Sequence, residues 1–199
     1  MRFTLASFIK ICLLSGSKQV SEVQKRYAIT SGYDYYWTLY KAIAANAAGC
    51  EEDEVESILL SASNLSEAAN NRAAYEVYLK RFGNKRTLSA VKKSVTRQFE
   101  DGIVEITFNP IFQTVEKSNS CIYSVWAMQT PPLEQSYAAL ACLMLRNAYR
   151  KTSLANSSFF FFDLVSDRIY SEKQITNSTS MVEKAELRKL AEIIRQVDN

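Results

Sequence analysis

The sequence predicts an α+β fold, with a helical N-terminal part followed by a mixed β-sheet flanked by two or more helices. Three observations carry this reading. Gly and Pro are scarce, at 5 and 3 in 199 residues, which disfavours a loop-rich sandwich. Apolar residues recur at helical spacing through about residue 82. From about Lys92 the period changes to two, around an Asp101-Gly102 dipeptide that suits a hairpin turn. The predicted organisation is a helical region over 1–83 and an α/β region over 84–199.

Phe3 to Leu14 reads as a short apolar helix. Lys10 interrupts its apolar run and no A-x-A site follows, so it does not read as a secretory leader. Ser21 is placed to cap a second helix ending near Tyr27, and Gly32 breaks the chain. "YDYYWTLYKAIAANAAG" follows as a helix closed by Gly49, with Tyr36, Leu39, Tyr40 and Ile43 as its apolar stripe. The cluster Tyr33, Tyr35, Tyr36, Trp37 and Tyr40 would also suit base stacking, but aromatics at this spacing usually pack in a core. "CEEDEVESILLSAS" reads as a helix with its acids in the first turn, where the helix dipole favours them. A helix from Ser66 to Phe82 closes the region at Gly83, with Ala69, Ala73, Val77 and Phe82 facing inward.

In the second region, Val95–Glu100 and Ile103–Phe108 alternate about Asp101-Gly102, and Pro110 ends that pairing. A second hairpin is expected around Lys117–Ser120, and "SCIYSVWAM" is apolar enough for a central strand. "PPLEQSYAALACLMLRNAYRK" is the clearest helix, with Tyr137, Leu140, Leu143 and Met144 among its expected core contacts. "SSFFFFDLVSDRIYSE" reads as a buried strand, a turn at Ser166-Asp167 and a short continuation. The last helix turns Val182, Ala185, Leu187, Leu190, Ile193, Ile194 and Val197 inward, with Ser180 and Glu183 as a capping box.

The formal net charge of +3 is too small to imply a partner. Its distribution is uneven: "EEDEVE" over 51–56 holds five acids, and Lys80 to Phe99 holds seven bases and no acid. Those bases, Lys80, Arg81, Lys85, Arg86, Lys92, Lys93 and Arg97, are the candidate polyanion-binding residues. Lys80 and Arg81 also suit the negative end of the helix they close.

Cys12, Cys50, Cys121 and Cys142 show no CxxC spacing, and all but Cys50 sit among apolar neighbours, so four unpaired thiols are expected. No apolar run approaches the ~18 residues of a membrane span. The expected compartment is therefore cytoplasmic, and the sequons at Asn64, Asn156 and Asn177 carry no weight there.

The protein has no histidine. That removes Ser-His-Asp, Cys-His and histidine–metal chemistry. Without CxxC or a Gly-rich phosphate loop, zinc ribbons and nucleotide loops are removed as well. Carboxylate-bound magnesium stays open. Asp163 follows four phenylalanines at a strand end, where it either caps the Ser166-Asp167 turn or faces a ligand.

The order from "GIVEITFNPIF" through "CIYSVWAM" and "PPLEQSYAALACLML" to "FFFFDLV" resembles the core of restriction-endonuclease-like proteins. It also resembles uncharacterised bacterial proteins in which "FG" ends a helix and "NP" ends a strand, here Phe82-Gly83 and Asn109-Pro110. The similarity spans roughly residues 75–195. It implies a metal-binding Asp where this chain has Asn109, and a carboxylate and Lys on a strand where it has Ile122, Tyr123, Ser124, Val125 and Trp126. Glu116 and Lys117 fall in the expected turn instead. No catalytic residue, metal ligand or cofactor is carried over.

The expectation is a non-catalytic bacterial interaction or regulatory protein, with a protein partner or homo-oligomer and no membrane. Two alternatives stand beside it. One is a nucleic-acid-binding protein with a degenerate nuclease-like core, binding weakly through the basic stretch. The other is a metal-dependent hydrolase with an unrecognised carboxylate site.

Overall fold

The computed structural model describes residues 1–28 and 34–198. Its elements run β1 (Arg2–Thr4), α1 (Leu5–Leu13), α2 (Ser17–Ala28), α3 (Trp37–Ala47), α4 (Glu52–Leu60), α5 (Leu65–Phe82), β2 (Ser89–Ala90), β3 (Val95–Phe99), β4 (Val104–Phe108), β5 (Phe112–Glu116), β6 (Asn119–Trp126), α6 (Gln135–Tyr149), β7 (Ser158–Asp163), β8 (Arg168–Ser171) and α7 (Thr179–Asp198). The fold is α+β, with helices first and then sheet plus helices. The break expected at Gly32, and Tyr33, lie outside the described residues. No helix among the described residues is long and apolar enough to cross a membrane.

Local chemistry sets the element ends. Thr4 caps α1 by accepting from the Ser7 N–H at 3.2 Å, and Asn64 caps α5 by accepting from Glu67 at 2.9 Å. The β3–β4 turn puts Glu100, Asp101 and Gly102 at φ 49°, 55° and 86°, a conformation that Asp and Gly tolerate well. Lys117 and Ser118, at φ 49° and 67°, turn β5 back into β6.

The strands form two sheets, one ordered β1-β4-β3 and one ordered β2-β5-β6-β7-β8. β1 runs parallel to β4, and β6 runs parallel to β7, with α6 as the crossover between them. The other pairings are antiparallel.

The four-phenylalanine run explains the layering. Phe159 and Phe161 face one core, with Phe3, Phe8, Ile106, Trp126, Leu140 and Leu190. Phe162 faces the other, with Leu39, Ile43, Leu59, Tyr78, Phe82 and Tyr123. A strand buried on both faces can be apolar at every position. The helices before residue 83 divide between these cores: α1 and Val23 of α2 join the first, while α3, α4 and α5 supply the second. On α6, Leu140 and Met144 lie in the first core, Tyr137 packs against it, and Leu143 is also buried.

Five expected details are corrected. Ser21, expected to cap the second helix, lies inside α2, which begins at Ser17. The inward stripe of α5 is Glu67, Asn71, Tyr75, Tyr78 and Phe82, while Ala69 and Ala73 are exposed. On α7, Ala185 is exposed. The Ser180–Glu183 capping box gives way to Thr179, whose hydroxyl accepts from the Thr176 N–H at 2.9 Å; α7 has already begun at Thr179, so Ser180 lies inside it. Phe3 and Thr4, read as helix, are strand, because the β4 edge offers them a parallel partner.

Candidate functional site

The basic stretch is divided among several local tasks. Arg81 pairs with Asp167 in the β7–β8 turn, and its Nη2 donates to the Asp167 carbonyl at 2.6 Å. Lys85 pairs with Glu116 at 2.6 Å. Arg97 Nη2 donates to the Ala148 carbonyl at 2.5 Å, in the last turn of α6, where a cation suits the helix dipole. Lys93 reaches Ser153 at 3.5 Å. Lys80, Arg86 and Lys92 are exposed. Lys85 and Lys92 do come together, on a hollow lined also by Asn46–Gly49 and Gly83.

Asp163 is 3% exposed, and its carboxylate accepts from the Val165 N–H at 2.9 Å and the Ser166 hydroxyl at 2.5 Å. It caps the β7–β8 turn. Glu105 on β4 pairs with Arg2, whose hydrogen bond holds the Glu105 carboxyl below its usual range. Among the described residues, no group of three or more acids and thiols lies close enough to hold a metal ion.

A cleft of about 580 Å³ opens on another side, between α1, α2, the Asp34–Tyr40 segment and the loop after β6. Thr4, Ser7 and Lys10 come from α1 and the residue before it, and Glu22 and Arg26 come from α2. Tyr35, Tyr36 and Tyr40 form one wall, and Met128 and Thr130 of the loop after β6 also line the cleft. The Tyr35 and Tyr36 rings meet edge to face at 5.1 Å, and Tyr36 and Tyr40 lie 6.3 Å apart. Burial, then the neighbouring Asp34 and Tyr36, raises the Tyr40 pKa, and burial and Tyr35 raise that of Tyr36. Both stay neutral phenols near neutral pH. A small inner hollow shares Thr4, Ala6, Asp34 and Tyr40 with the cleft and reaches Asn109 and Ser124. Asn109 and Ser124 thus line one hollow beside the cleft.

The charges of the cleft are arranged unevenly. Lys10 and Glu22 pair at 2.6 Å, and Lys25 stands 4.0 Å from the same carboxylate. Asp34 is occupied with starting α3, accepting from the Tyr36 N–H at 3.0 Å. Arg26 is half-buried, with its guanidinium carbon 5.0 Å from the centre of the Phe3 ring. Its Nε is buried without a hydrogen-bond partner. Burial lowers the Arg26 pKa, and Glu22 and Asp34 oppose that from a distance.

The tyrosine wall is held from behind by the polar stripe of α5. Asn71 Nδ2 donates to the Tyr35 carbonyl at 3.0 Å and to Thr38 Oγ1 at 2.8 Å. Asn70 Nδ2 donates to the Tyr35 hydroxyl at 2.6 Å, and Gln129 Nε2 donates to Asn70 Oδ1 at 3.2 Å, tying in the loop after β6. The Glu67 carboxylate, 2% exposed, accepts from the Ser63 N–H at 3.0 Å. Sequence reasoning read the tyrosines as core and missed this set. The available signal was Glu67 and Asn71 standing at i and i+4 in step with Tyr75, Tyr78 and Phe82.

No known family model matches the chain, and no curated protein is detectably similar to it.

Proposed function

We propose that this is a non-catalytic bacterial interaction or regulatory protein that acts through the tyrosine cleft. The observation that carries the reading is the use of buried polar side chains, Glu67 and Asn71, behind the cleft wall. Burying polar groups costs stability compared with an apolar stripe, and here it holds Tyr35 in a fixed place. A binding surface benefits from such preorganisation. Within the cleft, the groups that could do chemistry are already engaged: Lys10 is held by Glu22, and Ser7 by Thr4 at 2.9 Å.

The test combines turnover and capture. Purified protein is incubated with single-stranded and supercoiled DNA, RNA and nitrophenyl esters, with magnesium or manganese. No turnover above buffer is expected. In parallel, ligands or partners that raise the thermal midpoint are sought, and their effect is expected to disappear in Tyr36→Ala. Metal-dependent cleavage, or a partner indifferent to Tyr36→Ala, would overturn the reading.

A second reading, weak nucleic-acid binding through a degenerate nuclease-like core, is supported by Lys85 and Lys92 sharing one hollow beside exposed Arg86. Phosphate contacts alone select no sequence. Affinity at or weaker than ~10⁻⁶ M near physiological salt is expected, abolished by joint charge reversal of Lys85, Arg86, Lys92 and Lys93. Tight binding that survives high salt would instead make the stretch a recognition surface.

A further inference from the structure

We infer that the tyrosine cleft binds a small planar ring carrying an anionic group, with Arg26 meeting the anion and Tyr35, Tyr36 and Tyr40 flanking the ring. The inference rests on the reading of the cleft as the binding site and adds the chemistry of its ligand.

The anion follows from the charge arrangement. Among the described residues Arg26 makes no ion pair, although it is half-buried and lines the cleft. The two acids whose charge reaches it, Glu22 and Asp34, make their direct contacts elsewhere, Glu22 with Lys10 and Asp34 with the Tyr36 N–H. A guanidinium is a planar fork of donors suited to carboxylate or phosphate, and taking it out of water without a counter-charge is unfavourable. An arriving anion would remove that deficit. The first turn of α1 reinforces the sign: it carries no acid, and Thr4 and Ser7 from that end line the same cleft.

The ring follows from the walls. Tyr36 meets Tyr35 edge to face at 5.1 Å and Tyr40 at 6.3 Å, and with Met128 these phenol rings give the cleft apolar faces with polar edges. A volume of about 580 Å³ suits a small molecule rather than a duplex or a folded partner. A mononucleotide and an aromatic carboxylate share the required chemistry.

The test is titration calorimetry on the full chain with four probes: adenosine 5′-monophosphate, benzoate, adenosine and inorganic phosphate. Binding of the monophosphate or of benzoate with Kd below about 1 mM is expected. Adenosine and inorganic phosphate should each bind at least about tenfold more weakly than the monophosphate. Arg26→Gln should weaken the successful probe by about tenfold or more, with Arg26→Lys intermediate, both checked for an unchanged circular dichroism spectrum. Should Arg26→Gln not fold, Arg26→Lys and the adenosine comparison decide. Adenosine binding as tightly as its monophosphate, with loss in Tyr36→Ala, would overturn the anion while leaving the cleft as a binding site. Failure of all four probes, or an affinity indifferent to Arg26, would overturn the inference outright.

Discussion

Asn71 Nδ2 lies 2.8 Å from Thr38 Oγ1, between α5 and α3, and both side chains are shut away from solvent. The same amide reaches the Tyr35 carbonyl, so one side chain joins two helices and the cleft wall. Asn71→Ala would leave a hydroxyl and a carbonyl without their donor. A loss of about 1–3 kcal/mol is expected from urea unfolding, together with weaker binding in the cleft. A loss under about 0.5 kcal/mol would mean that the wall is held by other means.

Phe82 joins the helical layer to the five-stranded sheet. Its ring centre lies 4.8 Å from Phe112, 4.9 Å from Tyr123 and 5.7 Å from Phe162. Phe82→Ala is expected to destabilise by roughly 3–5 kcal/mol, through lost transfer energy and a cavity that three sheet strands and a helix cannot close. Phe82→Leu should recover a good part of it. Equal stability of Phe82→Ala and the parent in denaturant unfolding would refute this packing.

The four thiols should separate by reactivity. Cys12, Cys121 and Cys142 are buried, whereas Cys50 is half-exposed. Burial, then Glu172, pushes the Cys142 thiol up to about 12, and burial and Glu186 push Cys12 up as well. A thiol reagent at mildly alkaline pH should modify Cys50 first and the other three only after unfolding, with four counted in denaturant. Two or more rapid modifications of the native protein would contradict that.

Stability should fall in alkali for a stated reason. Burial raises Tyr75 and Tyr123 from 10.0 to about 12, and raises Tyr78 and Tyr149 too. The unfolded chain releases these protons near pH 10 while the folded chain keeps them, so the unfolded state binds fewer protons in that window. The contribution is complete below about pH 10 and is lost as pH rises toward 12. Urea midpoints that stay flat from pH 9 to 11.5, with the fold retained, would count against it.

How far the sequence disclosed this molecule depended on whether a residue's task was local. The Asp101-Gly102 hairpin, the α6 helix and the Asp163 cap follow from neighbours in sequence, and each was legible. The α5 stripe was not, because Glu67 and Asn71 are inward only on account of Ser63, Thr38 and Tyr35, which other segments supply. The basic stretch was visible as composition, but its partners Asp167, Glu116 and the Ala148 carbonyl are set by tertiary packing. The cleft was hidden for the same reason: its cations come from α1 and α2, its rings from the start of α3 and the segment before it, and Met128 and Thr130 from the loop after β6.

The parallel pairing of β1 with β4 also sets an order of events on the ribosome. Phe3 pairs with Ile106, so everything from Leu5 to Phe99 is synthesised before its strand partner exists. Contacts this distant in sequence slow folding, and they close late. Until β4 emerges, Phe3 and the apolar face of α1 have no core to enter, and a nascent chain halted before residue 104 would present them to its neighbours. A translation pause or truncation in the α5–β3 region would thus leave this apolar surface uncovered, a condition that favours aggregation.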